Sequence, residues 1–303
     1  MSEHSQPRPE LVIDAALARA LVAAQFPNWA HLPVTPVAFG GWHNRTFHLG
    51  DSMIARLPGK PYYSHEVDKE QLWLPRLAPQ LPLPIPTPLA LGEPGEGYPW
   101  RWSIYGWIEG ETAGRAQITD RVMFARDLAR FLQALHAADA AGGPAPGRHN
   151  FFRGGPLATY DRETRDAIAV LADRIDGPLA LDLWEAALAA AWDGRPVWLH
   201  GDVSPGNMLA RDGVLSAVID FGSCAVGDPA CDLAIAWTFF EGESRAAFRD
   251  ALPLVPGTWA RGLGWALWKA LIVTAKAPGT NQGEAAISLR VLQDLIGGVA
   301  GVD

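Results

Sequence analysis

Two hydrophobic periods alternate along this chain. Residues 11–26 mix Ala, Leu and Arg in helical proportion and stop at Pro27, which predicts a first helix. Shorter apolar runs follow at 34–39, 45–49 and 53–57, the last two separated by Gly50-Asp51, and read as strands. Residues 64–74 return to a helical pattern. Pro82, Pro84, Pro86 and Pro88 then force extended neighbours around buried-type apolar residues, so this stretch predicts an ordered approach to an edge strand, not a linker. A further strand spans 100–108, and Gly110 ends it. Leu128, Phe131, Leu132 and Leu135 follow i, i+3, i+4, i+7, the stripe of a helix with one buried face, which closes at His136. After a Gly/Pro loop at 142–147, helices are expected at 161–173 and 181–192, then a strand at 197–199. Residues 207–219 read as two short strands joined at Asp212-Gly213, a strong hairpin signal, and 234–298 as mainly helical.

Composition narrows the class. With 303 residues, 49% of them hydrophobic, there is enough chain for two lobes, each with its own core. No run approaches 18 uncharged apolar residues and the first ten positions are polar, so neither a membrane span nor a signal peptide is expected and the protein reads as cytoplasmic. The formal charge of −8 and the absence of any Lys/Arg run argue against nucleic acid as a partner. Cys224 and Cys231 lack a second pair of metal-ligand type and read as small packing residues.

The chemistry concentrates between residues 200 and 232. His200-Gly201-Asp202-Val203-Ser204-Pro205-Gly206-Asn207 is followed by Ile219-Asp220-Phe221-Gly222 and by Gly227-Asp228-Pro229-Ala230-Cys231-Asp232. An alcohol attacking a nucleotide γ-phosphoryl needs a carboxylate to orient it and accept its proton, and cations to neutralise the triphosphate. Asp202 fits the first role. Magnesium takes hard oxygen ligands and keeps several waters, so the amide oxygen of Asn207 and the carboxylate of Asp220 suffice alongside phosphate oxygens. The hairpin between them would bring both to one metal. A glycosidase pair made of Asp202 and Asp220 leaves Asn207 unexplained.

The stretch from His200 to Asp232 resembles the aminoglycoside phosphotransferase and choline kinase group, whose pattern is H-G-D-x4-N, then I-D, then G-D-P-x2-D-L-A. Gly227-Asp228-Pro229, Asp232, Leu233 and Ala234 match its last part in full. The resemblance extends upstream over residues 34–136. It implies an α+β, bilobal, protein-kinase-like fold: a small N-terminal antiparallel sheet lobe (1–105) that binds nucleotide, and a larger helical lobe (106–303) with the catalytic loop and acceptor site. It also implies ATP, with GTP as an alternative donor, and Mg²⁺ as cofactors. The partners are then that nucleotide and a small-molecule alcohol acceptor.

In that arrangement the loop Gly40-Gly41-Trp42-His43-Asn44 approaches the nucleotide phosphates. The strand at 53–57 carries the basic residue for the α- and β-phosphates. Protein kinases place a Lys there, whereas this chain has Arg56, whose planar fork serves phosphate and carboxylate alike; Lys60 lies beyond Pro58-Gly59. The acid partner comes from the following helix, where Glu66 and Glu70 share a face. The family pattern favours Glu70, just before Leu72-Trp73-Leu74, and leaves Glu66 as a solvated or capping acid. Gly106, Trp107 and Ile108 stand where the family's backbone holds adenine. His200 supports the catalytic loop, and Asp228 and Asp232 read as braces near a helix that starts at Pro229.

Two other classes compete with a small-molecule kinase. A silent nucleotide-binding regulator is disfavoured by the intact Asp202, Asn207 and Asp220. A protein kinase is disfavoured because no Ala-Pro-Glu segment follows Asp220. Few acids follow Asp232, and residues 259–269 are aromatic and basic, which suits a neutral, apolar or anionic acceptor better than a polycation.

Overall fold

The computed structural model describes residues 11–38, 44–276 and 282–297. Helix α1 (Ala15–Gln25) starts where the Asp14 side chain accepts the Leu17 amide, and it buries Ala18, Leu21 and Val22. These three pack with Phe47, Leu49, Ala55, Leu57, Trp102 and Ile104 in the core of the first of two compact units, Met1–Pro75 with Pro86–Ile108. The sheet in this unit is antiparallel throughout. Its strands are β1 (Val34–Pro36), β2 (Asn44–Leu49), β3 (Met53–Pro58), β4 (Pro88–Gly92) and β5 (Trp102–Gly106), in the spatial order β1-β2-β3-β5-β4. The proline run therefore ends in an edge strand, the one sheet position where a missing backbone donor costs least. Helix α2 (Ser64–Leu77) follows β3 and extends past Pro75, and Gln71 on it donates to the Ala90 carbonyl and to Ser103 Oγ.

The second unit, Arg76–Ile85 with Glu109–Asp303, is mainly helical. Strand β6 (Glu111–Thr112) precedes α3 (Arg121–Ala137), whose N-cap Asp120 accepts the Met123 amide. The buried face of α3 contains all four residues of the predicted stripe. Then come α4 (Asp161–Val170), α5 (Gly177–Ala189), β7 (Val197–Leu199), β8 (Met208–Arg211), β9 (Val214–Val218) and β10 (Ala225–Gly227). Helices α6 (Ile235–Thr238), α7 (Gly242–Ala251), α8 (Pro256–Ala275) and α9 (Gln282–Ile296) complete it. Strands β6, β8 and β9 form one small sheet, β7 and β10 another. Asp212 and Gly213 take φ of 53° and 78°, the left-handed pair that a tight two-residue hairpin between β8 and β9 demands. The Pro84 carbonyl accepts the Val218 amide, so the proline run is hydrogen-bonded to β9. Among the described residues no helix is long and apolar enough to cross a membrane.

His136 lies in the last turn of α3, but the C-cap is Ala138. Its Nε2 is buried with no hydrogen-bond partner among the described residues, and burial pushes its pKa from 6.5 down to about 4. The fold thus holds this imidazole neutral, while an unfolded chain would protonate it near 6.5. Stability that is complete above 6.5 is lost as pH falls towards 4, by up to about 3 kcal/mol. Urea unfolding of wild type and His136→Leu between pH 7.5 and pH 4 checks this: the substitution should flatten that part of the decline.

Candidate active site

In the second unit the site begins with a buried carboxylate engaged by the backbone. Asp232 is fully buried, and its two oxygens accept the successive amides of His200 (2.7 Å) and Gly201 (2.8 Å). Burial pushes its pKa up, against the pull of those amide bonds. Gly201 has φ of 84°, and a Cβ there would stand 2.4 Å from the Ser223 carbonyl oxygen, so only glycine fits. The loop is pinned at this point, immediately before Asp202.

His200 ties the loop to the second half of the motif. Its Nδ1 takes the Asp202 amide at 3.2 Å, and a backbone amide only donates. The Nε2, 2.9 Å from the Ile219 carbonyl, therefore carries the proton. The neutral Nε2–H tautomer is thus dictated by two backbone groups, one at Asp202 and one next to Asp220. Phe221 packs edge-on to the ring at 4.6 Å.

The hairpin sets the Asn207 backbone opposite Ile219, the residue before Asp220. The Ile219 amide donates to the Asn207 carbonyl at 2.8 Å, one pair beyond the Met208–Val218 register. Asp220, next in sequence, takes the left-handed conformation (φ 66°, ψ 69°) and turns the chain out of β9. The Asn207 Nδ2 donates to the Asp202 carbonyl (2.9 Å) and to Asp202 Oδ2 (3.0 Å), which fixes the amide so that Oδ1 is its remaining oxygen. Among the described residues no group of three or more His, Cys, Asp or Glu could hold a metal ion. Asn207 and Asp220 contribute one amide oxygen and one carboxylate, a set that would suit a cation that keeps water and phosphate oxygens and would not suit a tightly caged one.

Asp228 caps the short helix at Pro229 by accepting the Ala230 amide, and it forms a two-point ion pair with Arg261 of α8 (2.6 and 3.0 Å). Both side chains are about 6% exposed. Arg261 also donates to the Ala190 and Ala191 carbonyls and to Thr258, so its whole fork is spent inside the fold. Lys269 pairs with Glu284, and Trp259, Trp265 and Trp268 are buried. The aromatic and basic stretch at 259–269 thus packs this unit, and its cations are already engaged.

The first unit carries the other predicted residues. Arg56 on β3 reaches Glu70 of α2 through Nη1, at 3.4 and 3.5 Å from the two carboxylate oxygens. The Tyr105 hydroxyl on β5 also donates to Glu70, and the Arg56 guanidinium lies 5.5 Å from the Tyr105 ring centroid. Burial, and then the Glu70 charge, push the Tyr105 hydroxyl pKa well up, so it stays a donor. Sequence reasoning missed Tyr105; its signal was a phenol in a largely apolar strand, which when buried must find a polar partner. Glu66 is 4% exposed in the first turn of α2, so it is not solvated. Asn44 opens β2 opposite Pro58. Gly40, Gly41, Trp42 and His43 lie outside the described residues. Of the three hinge positions, the Gly106 amide donates to the Thr87 carbonyl and the Trp107 amide to the Ser52 carbonyl, so neither N–H serves a ligand.

With this geometry established, comparison identifies the chain. The model of the phosphotransferase enzyme family matches residues 33–266, and the protein belongs to that family. No curated protein sequence gives a significant match. Among solved structures, the GDP and kanamycin complex of APH(2″)-IIIa is similar with a TM-score of 0.70 at 18% identity, over 91% of this chain and 97% of that one. The ADP-bound aminoglycoside phosphotransferase APH(2″)-Ib gives 0.58 at 17% identity, over 94% and 100%. The macrolide 2′-phosphotransferase MphH from Brachybacterium faecium gives 0.58 at 22%, over 92% and 97%. The fold is the kinase-like α+β fold of these phosphotransferases.

The Asp228–Arg261 pair yields a direct test. Asp228→Ala strands a buried guanidinium and should cost about 3–5 kcal/mol, read as a lower urea midpoint at unchanged slope. Adding Arg261→Met should recover part of that loss, because no uncompensated charge then remains.

Proposed function

We propose that the protein is an ATP-dependent O-phosphotransferase acting on a small hydroxylated molecule. The reading rests above all on Asn207, whose side-chain amide nitrogen donates to Asp202 while its backbone carbonyl accepts the amide of Ile219, the residue before Asp220. In this proposal Asp202 orients the acceptor hydroxyl and takes its proton as the oxygen attacks the γ-phosphorus. The bond from that phosphorus to the β-phosphate bridging oxygen breaks, and ADP leaves. Asn207 and Asp220 hold magnesium, which when bound neutralises charge on the phosphates.

Residues 1–105 act as the nucleotide-binding part and 106–303 as the part with the catalytic loop and acceptor site. Arg56, kept in place by Glu70 and Tyr105, binds the α- and β-phosphates, with the 40–44 loop as a second phosphate contact. With the Gly106 and Trp107 amides engaged, the hinge offers adenine the Ile108 amide and carbonyl oxygens. The similar structures hold ADP in one case and GDP in another, so both nucleotide classes belong in the assay. Their named acceptors, kanamycin and macrolides, set the outer bounds of an acceptor panel.

Magnesium-dependent ADP or GDP release across small alcohols, aminoglycosides and macrolides tests the reading, and no acceptor-dependent release would overturn it. With a working acceptor, Asp202→Asn should lower kcat by roughly 10²–10⁴-fold and change ATP affinity by no more than a few-fold. Wild-type turnover would remove Asp202 from its role. Calorimetry of Mg-ATP binding should show a larger loss for Asp220→Ala than for Asn207→Ala, since the carboxylate supplies charge as well as an oxygen. Unchanged binding in both would remove the metal assignment.

A further inference from the structure

Arg153 is the reverse of Arg261. Its guanidinium lies 5.0 Å from the Trp265 ring centroid and 5.1 Å from that of Trp268, in the corner formed by two nearly perpendicular indoles of α8. Tyr160 closes the group, 4.1 Å from Trp268 and 5.5 Å from Trp265. Both tryptophans are buried, whereas Arg153 is half-buried. Among the described residues no carboxylate pairs with it and no acceptor takes its N–H groups. The nearby carboxylates are committed elsewhere: Glu163 to Lys276 (3.0 Å) and the Trp268 indole N–H (3.1 Å), Asp228 to Arg261, and Asp232 to the loop amides. Contact with the two indoles restricts this side chain while its guanidinium donors have no acceptor among the described residues. A guanidinium in that state is a preorganised fork for a planar or tetrahedral oxyanion.

Its place in the fold connects it to the catalytic loop. The Arg153 carbonyl accepts the Asn150 side-chain amide, which also reaches the Ser223 carbonyl, the group that packs on Gly201. The next residue, Gly154, accepts the Asp228 amide at 2.9 Å. The buried Cys231 thiol, two residues after Pro229, is pushed up by burial and by Asp232, and the Arg153 charge opposes that rise.

We infer that Arg153, seated on Trp265 and Trp268, binds an anionic group, carboxylate or phosphate, of the acceptor alcohol. The inference rests on the phosphotransfer reading for what then happens to the alcohol, but the binding site itself stands apart from it.

The test separates the two. Protein labelled with ¹⁵N at tryptophan and saturated with ADP, to fill the nucleotide site, is titrated with glycerate, glycerol 3-phosphate and glycerol. The indole N–H signals are assigned from Trp265→Phe and Trp268→Phe. At least one anion should shift the Trp265 and Trp268 signals saturably, and glycerol should not; which anion does so distinguishes carboxylate from phosphate. Arg153→Met should weaken that binding by about tenfold or more, and Arg153→Lys, which keeps the charge and loses the fork, by less. Should Arg153→Met fail to fold, Arg153→Lys alone must still weaken it. No saturable shift with either anion, or one unaltered by the Arg153 substitutions, overturns the inference. Asp202→Asn should keep the shifts while losing ADP release, so failure of the phosphotransfer reading appears in ADP release and failure of this one in the indole signals.

Discussion

The catalytic loop depends on one buried carboxylate. Asp232 takes two consecutive backbone amides, and through them it sets where Asp202 begins. Moving a carboxylate out of water carries a large penalty, offset here by two short amide bonds. The clamp propagates without any flexible link. The ring of His200 joins the Asp202 amide to the Ile219 carbonyl, and Asn207 returns a side-chain bond to Asp202. Loop and hairpin are thus cross-tied by single atoms whose roles as donor or acceptor are unambiguous.

The first unit solves a similar problem with different groups. Glu70 is 3% exposed and shared between a guanidinium and a phenol, so its position is set from β3 and β5 together. Arginine suits this arrangement better than lysine would. Its guanidinium faces both oxygens of the carboxylate while lying near the Tyr105 ring, which a single ammonium would not do as well.

Much of this was legible before any coordinates, and the reasons are local. The Asp212-Gly213 turn announces its hairpin because few residues accept two successive left-handed conformations, and the stripe on α3 announces its buried face through period alone. What escaped was settled by tertiary partners. Residues 259–269 look aromatic and basic in sequence, but a sequence does not reveal that Arg261 finds Asp228 or that Lys269 finds Glu284. Glu66 of α2 was expected to be a solvated or a capping acid; it is buried in the first turn of the helix, and helical spacing, which puts it on the Glu70 face, says nothing about what covers that face. Tyr105 and Arg153 carried no motif at all. Their roles emerge only from which rings and carboxylates lie beside them.

The tautomer of His200 has a consequence for proton traffic. Both ring nitrogens are satisfied by backbone groups, and adding a proton at Nδ1 would set it against the Asp202 N–H. The imidazole most often responsible for relaying protons near neutral pH is therefore wired as an insulator, a strut between two main-chain atoms. In the proposed reaction, a proton taken up by Asp202 would therefore find no acceptor in the His200 ring, whose two nitrogens are both committed to main-chain groups.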